Sequence, residues 1–156
     1  MAIRTAFKKW LSVLLAAIFV IPVLLNIFGV ISMRVILTDS MTPRIQPGDL
    51  VVTANWIKPT LNDVAMYKQR DINGVIKQEV VHRVITLNSK NEYQFKGDNN
   101  KSMDALSVPK DDVIGTVVLK LNGVGNLFTP GGLVSVLALI GGIWISIRGI
   151  KKLRDK

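Results

Sequence analysis

Three short polar segments carry the residue types that hydrolytic chemistry needs. They are Thr38-Asp39-Ser40-Met41-Thr42-Pro43, Val81-His82-Arg83-Val84 and Lys96-Gly97-Asp98-Asn99-Asn100-Lys101-Ser102-Met103-Asp104. A serine hydroxyl attacks a carbonyl well only when a neutral imidazole takes its proton, and the resulting imidazolium needs a carboxylate behind it. Ser40 supplies the hydroxyl, and Asp98 and Asp104 supply carboxylates. His82 is the single histidine in the chain, so a serine enzyme that uses imidazole here has only one possible base. The distance between the segments along the chain is no obstacle, because serine hydrolases occur with unrelated residue orders. Singly, each segment has an ordinary explanation. A serine beside proline is commonly a turn residue, Gly-Asp-Asn-Asn is a run that tolerates left-handed backbone, and a lone histidine on a strand is more often structural than catalytic. The convergence of all three favours chemistry, and the residues themselves leave the choice between Asp98 and Asp104 open.

The elements that must position these groups read as β-structure. Residues 34–37 form a short β-branched run, and residues 50–53 follow the Pro47-Gly48-Asp49 turn. Asn73-Gly74 is a two-residue hairpin signal between Val64-Ala65-Met66-Tyr67 and a long run over residues 75–87. A further turn over residues 88–91 leads into Tyr93-Gln94-Phe95, and residues 113–121 form the last strand. In the long strand, alternation places Val80, His82 and Val84 on one face and Val81, Arg83 and Ile85 on the other. Flanking valines would hold the imidazole rigid and partly desolvated, as a general base requires. The fold class expected is mainly β, a small coiled sheet or barrel-like domain. Gly123-Val124-Gly125-Asn126 reads as a flexible joint after it. Trp56-Ile57 reads as core, with the membrane interface as the other candidate position.

Composition sets the surroundings of this domain. Residues 10–33 contain no charge over 24 positions, against the roughly 20 needed to cross a bilayer core. The run is longer than a cleaved secretory signal and lacks an Ala-x-Ala-like step, so it predicts a retained transmembrane helix. A second uncharged stretch covers residues 121–147; its part after Thr129-Pro130-Gly131-Gly132, residues 133–147, predicts a second transmembrane helix. The resulting division is a cytoplasmic tail over 1–9, a helix over 10–33, an extracytoplasmic β-rich domain over 34–120, a linker over 121–132, a helix over 133–147 and a basic cytoplasmic tail over 148–156. Of the net charge of +9, the two tails contribute +7. The basic balance therefore points to anionic membrane lipids as partners and away from nucleic acid. By the positive-inside rule both termini face the cytoplasm. With no cysteine and one histidine, disulfides, thiol catalysis and a Cys- or His-rich metal centre are excluded, and no metal or cofactor is expected.

The ordered set of segments resembles the type I signal peptidases. Ser40-Met41-Thr42-Pro43 with Pro47-Gly48-Asp49-Leu50 is similar to their nucleophile box and following turn. Val81-His82-Arg83-Val84 and Gly97-Asp98-Asn99-Asn100 with Asp104 are similar to later boxes of the Ser-His branch, found in the endoplasmic reticulum, archaea and some Gram-positive bacteria. In that branch histidine stands where the commoner bacterial enzymes use lysine. Val113-Ile114-Gly115 matches the strand that closes the family's domain, and the resemblance spans residues 31–120. It implies a membrane-bound serine endopeptidase that removes signal peptides from secreted preproteins. Ser40 would be the nucleophile, His82 the base and Asp104 the group that orients His82. Asp98 would support the active-site loop, and Thr38, where the family often carries serine, would contribute its hydroxyl to the oxyanion hole. Partners implied are signal-peptide-bearing preproteins and, as a further candidate, the protein-export channel. Ser40 lies seven residues past Met33, within roughly 23 Å of the expected span at full extension, which suits a membrane-inserted substrate. The alternative from a different class is a catalytically inactive membrane-anchored β-domain serving as a secretion or assembly subunit.

Overall fold

The computed structural model describes residues 2–128 together with 131, 133 and 135. One helix, α1 (Ala2–Ile27), precedes six strands: β1 (Ile31–Val35), β2 (Leu50–Ala54), β3 (Val64–Arg70), β4 (Ile76–Leu87), β5 (Tyr93–Lys96) and β6 (Val113–Leu121). Single 3-10 turns occupy Lys110–Asp112 and Val124–Phe128. The strands form one antiparallel sheet in the order β1-β2-β6-β3-β4-β5. The mainly β class is as expected, but the sheet is open rather than a closed barrel.

Its coiling has a local cause. Bulges fall between Val52 and Thr53, Met66 and Tyr67, Gln69 and Arg70, and Val84 and Thr86, and each adds right-handed twist. The sheet curls far enough that β1, at one edge, meets the early part of β4 across a gap, where Arg34 Nε donates to Glu79 Oε2 at 2.6 Å. Among the described residues the outer edge of β1 has no strand partner. β5 covers β4 only from Arg83 onward, so among the described residues the preceding half of β4 also has a free edge facing the gap.

Alternation along the strands builds a small core on each face. Ala65, Tyr67, Val84, Tyr93, Phe95, Val108 and Val113 pack on one side, with Val80 beside them. Ile36, Met41, Ile45, Val51, Met66 and Val81 pack on the other. The β3–β4 hairpin turns at Asn73-Gly74, where Gly74 takes φ +78° and Asp71 Oδ1 accepts the N–H groups of Asn73 and Val75. Pairing of Ala65 with His82 and of Tyr67 with Val80 puts Ala65, Tyr67 and His82 on one face of the sheet.

The expected span over 10–33 does not keep its boundary. The helix ends at Ile27, Gly29 takes φ +68°, and Val30 N–H closes back on Leu25 O. Residues 31–33 instead pair with Val52, Thr53 and Ala54 as the start of β1, because an unpaired β2 edge there offers the backbone hydrogen bonds that helix would otherwise supply. Among the described residues no helix is long and apolar enough to cross a membrane, so the two expected transmembrane helices are not shown. Apart from 133 and 135, the second expected span and the basic tail lie outside the described residues.

Residues 123–126, expected as a loose joint, are instead docked. Gly123 N–H donates to the buried Asp49 carboxylate at 2.9 Å, and Gly125 is buried so closely against Val35 and the Gly48 carbonyl that a Cβ would stand 2.6 and 2.7 Å from them.

Candidate active site

Ser40 sits in the connection from β1 to β2, whose base is held by backbone and carboxylate together. Ile36 N–H donates to Asp49 O and Gly48 N–H to Ile36 O, both at 2.8 Å. The Asp49 carboxylate is buried, which alone would push its pKa up. The N–H groups of Gln46 and Gly123, with the Lys120 ammonium, outweigh that and hold it below the ordinary carboxylate value. Met41 and Ile45 bury their side chains in the core beneath the loop, so Ser40, between exposed Asp39 and buried Met41, is left half-buried at the surface of the gap.

The third polar segment closes over this loop. Asn99 N–H donates to Ser40 O at 2.8 Å. Gly97 lies so close that a Cβ there would be 2.6 Å from the same carbonyl, which is why a residue without a side chain is needed. Further along, Asp104 is fixed by backbone bonds: its N–H donates to Phe95 O at 2.9 Å and its carbonyl accepts Gln94 Nε2 at 2.5 Å.

Ser40, His82 and Asp104 thereby meet in one hydrogen-bonded line. Ser40 Oγ is 3.0 Å from His82 Nε2, and His82 Nδ1 is 2.7 Å from Asp104 Oδ2. Burial pushes the Asp104 pKa up, but hydrogen bonds from His82 and Tyr67 prevail and hold it below the ordinary value. An ionised carboxylate only accepts, so Nδ1 carries a proton, and in a neutral imidazole Nε2 then presents its lone pair to the Ser40 hydroxyl. That is the tautomer a general base needs. His82 itself is 7% exposed.

The remaining residues singled out by sequence fall as follows. Thr38 Oγ1 lies 3.3 Å from Ser40 Oγ. With the serine proton directed at His82, the threonine O–H is the donor. Asp98 is not behind His82. It forms a bidentate pair with Arg83, whose Nε and Nη2 donate to its two carboxylate oxygens at 2.7 and 2.6 Å, while Arg83 Nη1 donates to Asn62 O at 2.6 Å. This clamp ties the Gly97–Asn100 loop to the opposite face of β4. Trp56 and Ile57 are both exposed rather than buried in the core.

Tyr67 escaped the reading of the sequence. Its hydroxyl donates to Asp104 Oδ2 at 2.6 Å, and its ring stacks on Phe95 with centroids 4.3 Å apart. Burial, then the Asp104 hydrogen bond and charge, push the phenol pKa well above its ordinary range. The signal was available: strand alternation with a turn at Asn73-Gly74 places Tyr67 on the histidine's face.

The line of three opens onto a cleft of about 530 Å³ between the free edges of β1 and β4, lined by Val35, Ile36, Thr38, Ser40, Met41, Met66 and residues 78–81. Among the described residues no group of His, Asp and Glu is gathered in a manner that would hold a metal ion. No family model matches the chain, and no curated protein does.

Proposed function

We propose that this chain is a membrane-anchored serine endopeptidase of the Ser-His signal peptidase type, acting on the signal peptides of exported preproteins. The observation that carries the reading is the line Ser40 Oγ to His82 Nε2 at 3.0 Å and His82 Nδ1 to Asp104 Oδ2 at 2.7 Å, opening onto a cleft. Distances in this range satisfy the geometric requirement for a nucleophile and its base.

The steps follow from the atoms present. Ser40 Oγ attacks the scissile carbonyl carbon as His82 Nε2 takes the hydroxyl proton. The oxyanion is met by the Ser40 N–H and by the Thr38 hydroxyl, 3.3 Å from Ser40 Oγ, which turns toward it. Collapse breaks the C–N bond while His82 returns the proton to the leaving amine. A water then gives a proton to His82 Nε2 as its oxygen attacks the ester carbonyl, and collapse of that intermediate breaks the C–Oγ bond, releasing the acid product as His82 returns the proton to Ser40 Oγ. Asp104 stays ionised throughout and stabilises the imidazolium.

The cleft supports an extended peptide as substrate. Two free strand edges face it, and an added chain gains main-chain hydrogen bonds there, while Val35, Ile36, Met41 and Met66 offer apolar contact for small side chains. Membrane anchorage rests on the sequence. Residues 10–33 are uncharged, most of them belong to α1, and β1 begins four residues after that helix ends, so Ser40 works close to the point where the helix enters the domain.

Ser40→Ala and His82→Ala are expected to lower preprotein cleavage by the full chain in detergent by about 10³-fold or more, with circular dichroism unchanged. Processing at the original rate by either folded variant would end the proposal and leave the inactive-subunit alternative.

A further inference from the structure

Resting on the serine-peptidase reading, we infer that Tyr67 is a fourth member of the catalytic line, a positioning residue whose hydroxyl fixes the Asp104 carboxylate and moderates its pull on His82. Asp104 Oδ2 receives two donors at once, His82 Nδ1 at 2.7 Å and the Tyr67 hydroxyl at 2.6 Å. Both bonds end on the same oxygen, so they share its charge. A carboxylate on a short side chain can rotate, and a second short bond on Oδ2 holds that oxygen toward Nδ1. The ring that carries the hydroxyl is itself held: Tyr67 is buried, pairs with Val80 in the neighbouring strand and stacks on Phe95 at 15° between planes. The backbone N–H of Asp104 donates to O of that same Phe95. One stack thus sets donor and acceptor against each other.

The sign of the electrostatic effect follows from the sharing. With the phenol in place, part of the Oδ2 charge is spent on the tyrosine O–H, and less is available to favour imidazolium over imidazole. Without it, imidazolium gains, and a neutral base is harder to keep at acid pH. Other ionisable groups nearby are engaged elsewhere. Arg83, next on β4, faces away into its pair with Asp98, and Arg70 at the end of β3 is held by Asp112 through two bonds. On β5, the Tyr93 ring packs 6.0 Å from that of Phe95. Asp104 is influenced by His82 and Tyr67, and Tyr67 by Asp104.

The test is Tyr67→Phe in the full chain, which keeps the ring stack and deletes only the hydroxyl. Expected are a kcat lower by roughly 3- to 10-fold, a KM little changed, and an acid limb of kcat/KM moved to higher pH by roughly half a unit. In an Asp104→Asn background the same change should cost little further activity, because its route is gone. A structural role alone would move stability and leave the pH profile in place. Should Tyr67→Phe not fold, 3-fluorotyrosine in a Tyr93→Phe chain leaves Tyr67 as the one tyrosine and makes it a stronger donor, and the acid limb should then move to lower pH. A wild-type kcat and pH profile in Tyr67→Phe, or an unmoved limb with fluorotyrosine, overturns the inference. Activity surviving in Ser40→Ala would instead overturn the peptidase reading beneath it.

Discussion

Asp98 and Asp104 are six residues apart and chemically identical, yet their surroundings give them separate tasks. Asp104 is tied to β5 by its own N–H and faces His82, whereas Asp98 is drawn to the other face of β4 by the Arg83 guanidinium. Asp104→Asn should therefore lower activity by about 10²- to 10⁴-fold through the wrong imidazole tautomer, and Asp98→Asn should act mainly by loosening the loop, costing on the order of 1 kcal/mol of stability. Asp104 also has a pH signature. Its folded pKa lies below the ordinary value, so the folded state binds fewer protons, and its contribution to stability is present above about pH 4 and lost as pH falls through the lower folded pKa. The stability gap between wild type and Asp104→Asn, read by urea unfolding, should be widest at neutral pH and narrow below pH ~4; a constant gap would mean the carboxylate is not held by these bonds. Ser40 and His82 were legible in the sequence because one is marked by its box and the other is the only histidine. The division between the aspartates was legible only through resemblance, since it depends on a hydrogen bond between backbone groups that spacing does not reveal. Tyr67 reads in the sequence only as the end of a strand run; that its hydroxyl reaches Asp104 depends on the register of β3 with β4 and on the approach of the segment after β5.

At the scale of elements, Ser40, the proposed nucleophile, is held by contacts of the Gly97–Asn100 loop rather than by a strand. Adding a methyl at Gly97 would place carbon 2.6 Å from the Ser40 carbonyl oxygen, inside any real contact, so the loop must retreat and the Asn99 N–H bond to that oxygen must lengthen. Gly97→Ala is therefore expected to lower kcat by more than tenfold, since displacement of about 1 Å at a reacting group costs on the order of 10²-fold, while the melting temperature falls only a few degrees. Equal kinetics in this variant would show that the loop does not set the position of Ser40. Strand alternation made most of the elements readable: β6 was read with both boundaries in place and β4 within one residue. Two elements departed for physical reasons. Residues 31–33, apolar enough to continue a helix, were taken by the β2 edge, and residues 123–126, glycine-rich enough to suggest a joint, were captured by the buried Asp49 carboxylate. Both outcomes depend on partners distant in sequence.

Across the whole molecule, an open curled sheet explains how one short domain can offer both a rigid base and an accessible cleft. Closing the gap between β1 and β4 would complete a barrel and satisfy both edges, but it would remove the groove beside Ser40; the Arg34–Glu79 pair bridges the gap at one point and leaves the rest open. A coiled sheet is expected from the run of short strands and turns, but where it curls and that it stays open were not legible, because both depend on bulges, which change twist without changing composition. Charge placement was legible, and it yields a prediction about orientation. With +7 of the net +9 in the two tails, an inward tail and an outward domain is the arrangement that the positive-inside rule selects. The chain has no cysteine, so single cysteines report without background. Lys90→Cys, at the exposed β4–β5 turn, should react with an impermeant maleimide on intact cells, and Ala2→Cys and Lys156→Cys should react only after permeabilisation. Replacing the tail lysines and arginines with glutamine should then erode that asymmetry, because the proposed orientation rests on those charges and the segment between them carries a net of only +2. Labelling of Ala2→Cys from outside, with Lys90→Cys protected, would overturn the proposed orientation and with it the proposal that the Ser40 cleft meets exported preproteins.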